Sequence, residues 1–349
     1  MNGLNNHIST IVHTQRGDIP IEKINIGDVV YEYKSQKQLK VQGYAKSKVE
    51  QIYCIEYNDG RKTYVTLSDL IFTGKNIVKV KDKIIDKNII CYPIEQTPVI
   101  FSNNKVNDVL FPDPYIAGVL ITYGDYDDKY INLPLDRISA NQLFAHKYNL
   151  DYADKLGKNK VYFRWNDIPS EPNIEAITWK EFFPRYDFYA TSKNIIDDMI
   201  PIEYSQSSIQ NRIQFIRGVF DIGYDLVMFP DSISIAHKHE FRLKEVQKIL
   251  WSLGILSKVT YDPNLPSANE RLYRLDVIGE YSRYPSLFYD INFIERVLEN
   301  HYRIIYHDST FQLNIESIYE FTNGYMTNLI LDKQNAIYLV DNYLPKVSL

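Results

Sequence analysis

Apolar and polar positions fall into three patterns along the chain. From residue 1 to about 100, short apolar runs are broken by turn signals. Thr10-Ile11-Val12-His13-Thr14, Val29-Val30-Tyr31-Glu32-Tyr33, Ile52-Tyr53-Cys54-Ile55-Glu56-Tyr57 and Thr63-Tyr64-Val65-Thr66 read as strands. Arg16-Gly17-Asp18 and Asn58-Asp59-Gly60 read as the turns between some of them. From about 105 to 295, strong helical runs mix with strands. The last fifty or so residues return to strands, at Gly324–Leu331 and Ala336–Val340. The order predicts an α+β chain in which one all-β domain, built from residues 1–100 and 300–349, is interrupted by an inserted domain over residues 105–298.

Two stretches of the middle segment have the same shape. Asp113-Pro114-Tyr115-Ile116-Ala117-Gly118-Val119-Leu120-Ile121-Thr122-Tyr123-Gly124-Asp125 is one, and Phe215-Ile216-Arg217-Gly218-Val219-Phe220-Asp221-Ile222-Gly223-Tyr224-Asp225 is the other. Each reads as an apolar helix with a glycine on its face, closed by a glycine-containing turn near an acid. A glycine lets two backbones approach closely. Gly118 and Gly218 are therefore expected to face each other where two helices pack about an internal pseudo-twofold axis, within a monomer.

Composition narrows the classes. Of 349 residues, 45% are apolar and 24% charged, as in ordinary globular proteins. No apolar run reaches the length of a membrane span, and Met1-Asn2-Gly3-Leu4-Asn5-Asn6-His7 lacks the basic head and apolar core of a signal peptide. An intracellular setting, cytoplasmic or virus-associated, is the expectation. Cys54 and Cys91 make no metal framework. The net charge of -5 counts against strong non-specific DNA binding, while leaving room for a local basic face. The 29 tyrosines, with many Ile, Asn and Lys, use AT-rich codons, as in a phage or large virus. There is no P-loop, no zinc spacing and no GxSxG.

Thr10–Val30 resembles the first splicing block of the Hint domain of inteins, and Asp59–Asp69 resembles the second. Ala336–Leu349 is similar to the last block. The middle resembles the LAGLIDADG (dodecapeptide) homing endonucleases. Beyond the two repeats, Asp198–Tyr204 leading into Gln214–Gly218 fits the approach to the second motif, and Lys244–Val259 fits the helix and strand that follow. The resemblance implies a Hint-type β domain made from both chain ends, carrying an inserted two-repeat domain with αββαββα-like halves.

The resemblance also implies catalytic residues, and this chain departs from them. Splicing needs a Cys or Ser nucleophile at the first position; counting back from Thr10 places Asn5 there. The second block needs a His to polarise the scissile amide and shuttle a proton; that place holds Asp69. The last block needs a terminal His-Asn, and the chain ends Val347-Ser348-Leu349. In the endonucleases each motif has an acid before its closing glycine, and the two acids share divalent metals that activate water. Those places hold Tyr123 and Gly223. No intact catalytic set and no metal site are expected.

Three acids stay as candidates: Asp221, at the family's earlier acid and readable as a satisfied turn carboxylate, and Asp125 and Asp225, two residues downstream of the expected metal ligands. Mg²⁺ enters only if these shifted acids work. His237 and His239 alternate, so on a strand they share one face and read as surface residues of a β-ribbon. Lys238 and Arg242 are the candidates for contact with DNA phosphate on that ribbon. Lys258 reads as an exposed strand lysine. Three functions are therefore carried forward. The first is a splicing-inactive and cleavage-inactive intein relic with double-stranded DNA as partner. The second is a structural or interaction protein with protein partners, for example viral, using the fold as a scaffold. The third is a live endonuclease using shifted acids.

Overall fold

The computed structural model describes residues 6–33, 35–72, 76–85, 99, 114–123, 125–126, 130–134, 156–157, 160–164, 200, 202–223, 233–237, 239–263, 273–277 and 315–348. The fold is mixed, with extensive sheet and few helices. In chain order the strands begin β1 (Asn6–His7), β2 (Ile11–Thr14), β3 (Gly17–Pro20), β4 (Val29–Tyr31), β5 (Gln38–Tyr57), β6 (Lys62–Val65), β7 (Leu70–Phe72) and β8 (Ile77–Lys79), followed by helix α1 (Val80–Ile85). Next come α2 (Pro114–Tyr123), β9 (Asp125–Tyr126), β10 (Tyr130–Pro134), β11 (Leu156–Gly157), β12 (Lys160–Arg164) and α3 (Ile209–Gly223). The rest are β13 (Ser234–His237), α4 (Glu240–Ser252), β14 (Ser257–Tyr261), β15 (Tyr273–Val277), β16 (Ile315–Leu331), β17 (Ile337–Val340) and β18 (Leu344–Val347).

The chain divides into two compact units. The first comprises Met1–Asn103, Trp251–Lys258 and Thr310–Leu349; the second comprises Asn104–Leu250 and Val259–Ser309.

The first unit is built on a nine-stranded sheet, ordered β1-β16-β5-β4-β2-β17-β18, with β3 on β2 and β6 on β5. Strands from the two ends of the chain interleave. Val12 of β2 pairs with Val340 of β17, and Asn6 of β1 with Thr327 of β16. The core follows from that interleaving: Val12, Val30, Val41, Leu329, Tyr338 and Val340 are all at most 1% exposed and pack in one cluster. Each such Val or Leu contributes about 1.5–3 kcal/mol of burial, so neither end of the chain completes this core alone. The turn expected at Asn58-Asp59-Gly60 closes the β5–β6 hairpin, whereas β2–β3 is closed at Gln15-Arg16, and the Gly17 and Asp18 expected in that turn already belong to β3.

Two strands exceed the sequence expectation. The run Ile52–Tyr57 is only the end of the twenty-residue β5, and Gly324–Leu331 only the end of the seventeen-residue β16. They form one antiparallel ladder from Ile315↔Tyr57 to Leu331↔Val41, with irregularities along it. The tail strand β18 pairs with β17 from Ile337↔Val347 to Val340↔Leu344.

In the second unit, α2 and α3 carry the two repeats. A four-stranded sheet, ordered β11-β12-β10-β9, lies between them in the sequence, and a three-stranded sheet, ordered β13-β15-β14, follows α3. No helix among the described residues is long and apolar enough to cross a membrane.

Candidate functional site

The paired helices of the second unit meet at their glycines. A Cβ added to Gly118 would stand 2.0 Å from the carbonyl oxygen of Phe215, and one added to Gly218 would stand 2.0 Å from that of Tyr115. The next neighbours are also twins: Val219 N lies 3.1 Å from the first position and Val119 N lies 2.9 Å from the second. Real Cβ atoms do not approach backbone this closely, so hydrogen is the one substituent that fits. Around this crossing Tyr115, Ala117, Val119, Phe215, Ile216 and Val219 are fully buried.

At the end of α3 the carboxylate of Asp221, 5% exposed, accepts a 2.8 Å hydrogen bond from the Tyr115 hydroxyl of α2. Asp221 is therefore a satisfied carboxylate, on the helix itself and not in a turn. Asp125 heads β9, its backbone paired with Asn132. Asp225 lies outside the described residues. Tyr123 and Gly223 stand at the last residues of α2 and α3. Neither provides a carboxylate, so the places that would hold Mg²⁺ do not fit it. Among the described residues no group of three His, Cys, Asp or Glu side chains converges as a metal site.

The basic candidates fall differently from the expectation. Lys238 lies outside the described residues. Arg242 is half-buried in the first turn of α4, on a helix and not on a ribbon. His237 ends β13 and is buried at 7% exposure, so it is no surface residue. The backbone N–H of His239 donates to His237 Nδ1 at 3.0 Å. The two rings lie 5.4 Å apart, although His239 stands outside β13 and precedes α4. Lys258 lies in β14, half-buried.

In the first unit, the place where the second splicing block carries its histidine is occupied by a buried polar centre. Asp69 is 0% exposed. Its Oδ2 accepts the backbone N–H of Thr66 at 2.7 Å and its Oδ1 accepts the Thr66 hydroxyl at 2.8 Å. Both oxygens are thus turned onto Thr66 of their own loop, one on its backbone and one on its side chain. Burial pushes the Asp69 carboxyl up to about 6, against the opposing pull of Lys346 and the Thr66 bonds.

Three further members come from the C-terminal strands. Asp341, in the β17–β18 turn, accepts the Ile11 N–H at 2.9 Å through Oδ1, and burial raises its carboxyl to about 6. Lys346 of β18 is buried and donates to the Tyr64 carbonyl at 2.8 Å. Burial pushes its ammonium down to about 8, with Asp69 and Asp341 opposing the shift. Tyr338 of β17 accepts 2.8 Å from the Asn6 amide nitrogen, and burial raises its phenol well above the usual range. Near pH 7 the centre holds two carboxylates against one ammonium, with no ion pair inside 4 Å among Asp69, Asp341 and Lys346.

Beside this centre lies a closed ion pair. Arg61 donates from Nε to Asp59 Oδ2 at 2.8 Å, and both side chains are fully buried. Arg61 Nη1 also donates to the Asn342 carbonyl at 2.9 Å, which ties the β5–β6 hairpin to the β17–β18 turn.

Sequence reasoning found Asp69 from its place in a motif and missed Asp341, Lys346 and Tyr338. One signal was available: Lys346 interrupts the otherwise apolar run Tyr343-Leu344-Pro345-Lys346-Val347. A lysine inside a strand with no polar alternation is either an edge feature or buried with partners.

No protein-family model matches the chain, and no curated protein matches it. Among solved structures the chain is similar to the gp41-1 intein, at 24% identity over 23% of this chain and 61% of that one, with a TM-score of 0.21. The chain thus spans about three-fifths of that intein's length. It is similar to the homing endonuclease I-DmoI in complex with DNA and Ca, at 13% identity over 56% of this chain and 97% of that one, TM-score 0.29. It is also similar to the N-terminal LAGLIDADG domain of DUF199/WhiA, at 15% identity over 55% and 91%, TM-score 0.29. These are inteins and LAGLIDADG proteins, the two families that the sequence motifs resemble.

Proposed function

We propose that this chain is an intein-derived protein with a LAGLIDADG-like insertion that neither splices nor cleaves, and that binding of double-stranded DNA is the capacity it retains. The observation that carries the reading is the Gly118–Gly218 crossing. The helices are held at backbone contact, an arrangement whose use in the LAGLIDADG family is to bring two acids together. Yet the residues at those two ends are Tyr123 and Gly223, and the nearby Asp221 is engaged by Tyr115. Asp69 supports the loss of splicing: both of its oxygens are taken up by Thr66, so the side chain is not free to serve a departing amide nitrogen as a histidine would.

DNA binding and nicking are tested together. The full chain is titrated against a pool of labelled duplexes at about 50 mM salt, then incubated with Mg²⁺ or Mn²⁺ and resolved on a denaturing gel. Salt-sensitive binding with intact strands is the expected result. Nicking that disappears in Asp125→Asn or Asp225→Asn means a live enzyme with shifted acids. Absence of binding at low salt means that the fold serves as a scaffold. That second reading is favoured by the aromatics Tyr44, Phe321 and Tyr325, each about half exposed on the β5–β16 ladder of a protein with net charge -5.

A further inference from the structure

The turn joining β17 to β18 is strained and held from outside. Asp341, Asn342 and Tyr343 have φ of 42°, 61° and 68°. Left-handed backbone costs roughly 1–2 kcal/mol per non-glycine residue, and Tyr is poorly suited to it. Such conformations persist only when the surroundings over-determine them. Here β2 and the β5–β6 hairpin do so. Ile11 N–H donates to Asp341 Oδ1 at 2.9 Å, Asp341 N–H donates to the Ile11 carbonyl at 2.8 Å, and Arg61 donates to the Asn342 carbonyl at 2.9 Å. Asp341 thus makes both contacts to β2.

Its second oxygen is different. Asp341 Oδ2 is buried and accepts no hydrogen bond. An anionic oxygen in that position has lost its water and gained no donor, so the site favours the neutral acid.

We propose that Asp341 is a proton-operated clamp: as the neutral acid it seats the strained turn on β2, and loss of its proton loosens the seam where the N-terminal and C-terminal strands of the first unit join.

The titratable groups facing the clamp are Tyr64 of β6, Tyr338 of β17 and Lys346 of β18, and the ring of His13 on β2 lies 5.5 Å from that of Tyr343 in the same turn. Asp69 shares Lys346 with Asp341 as a neighbouring charge. The Ile11 N–H and, after it, Lys346 oppose burial and favour the carboxylate. Burial is the larger influence and holds Asp341 at about 6. A carboxyl raised in the closed state contributes stability that is full below its ordinary value of about 4 and is lost as pH rises through 6. The clamp is therefore tight in acid and relaxed at neutral pH.

Amide hydrogen exchange on the full chain reads this directly. Exchange at Ile11 and Asp341, corrected for intrinsic rate, is followed from pH 4.5 to 7.5. The opening equilibrium should rise by more than about tenfold across that window and level off above pH 6.5, one proton being released on opening. Asp341→Asn keeps an oxygen for the Ile11 N–H and removes the ionisation, so its profile is flat. Lys346→Met removes the charge that favours ionisation, so the rise moves to higher pH. A flat wild-type profile, an Asp341→Asn profile that rises like the wild type, or a Lys346→Met midpoint that stays or moves down overturns the proposal.

Discussion

Tyr115 and Asp221 share a 2.8 Å hydrogen bond across the paired helices, although 106 residues separate them in the chain. Their twins in the other repeat, Phe215 and Ile121, carry no group able to make that bond. The pseudo-twofold crossing is thus polar at one end and apolar in composition at the other. Tyr115→Phe should cost about 1–3 kcal/mol, because it leaves a buried carboxylate without this donor. Tyr115→Phe with Asp221→Ile, which copies the residue types of the other repeat, should recover most of the loss. Urea denaturation of the two variants checks this; equal losses in both mean that the hydroxyl is not the cause.

Gly218→Leu should disrupt the second unit. Even a bare Cβ meets a carbonyl oxygen at 2.0 Å from either glycine, and the obstacle is backbone, which cannot rotate away. Overpacking of this kind costs about 3 kcal/mol or more, and Gly118→Ala should already show much of it. A melting temperature within a degree or two of the parent for Gly218→Leu contradicts the close crossing.

Arg61→Leu should be among the most damaging changes in the first unit. It strands Asp59 in a fully buried site and removes the donor to the Asn342 carbonyl. Breaking one side of a buried pair costs about 3–5 kcal/mol. Arg61→Leu combined with Asp59→Leu removes the uncompensated charge and should be the milder variant in the same denaturation series.

Splicing should be undetectable. With flanking segments added at both ends, no ligated product is expected between pH 6 and 9, and Asp69→His alone should not restore it. The histidine returns a proton shuttle but supplies neither a nucleophile at Asn5 nor a terminal His-Asn. A ligated band from the unaltered chain shows that another residue performs the attack.

Local pattern made several elements legible. The glycine spacing marked the helix pair, since a close crossing leaves its trace in the residues it requires. The hairpin turns were legible because the β5–β6 and β2–β3 connections need residues that relax backbone restrictions. The full length of β5 was not. Its middle, Gln42–Gln51, has no buried residue, and the face that is half-buried there carries only Gly43, Ala45 and Val49, too weak an apolar signal to read as a strand. Its strand state comes from the ladder with β16, a partner more than two hundred residues away. The rings of His237 and His239 do lie together, 5.4 Å apart, but His237 is buried and His239 stands outside β13, with its N–H bonded to His237 Nδ1.

The sequence by itself determined which residue types stand at the places the resemblance marks: Asn5, Asp69, Tyr123 and Gly223. Identity at such a position needs no coordinates, because the covalent chain fixes which side chain stands there. Only the tertiary structure decided what the remaining polar residues do. Asp69, Asp341 and Lys346 come from separate segments and share one buried centre, where burial moves the two carboxyls up to about 6 and the ammonium down to about 8. That desolvation belongs to the packed unit and to no local stretch of chain, so the role of Lys346 as the cation near two acids shows only in the fold.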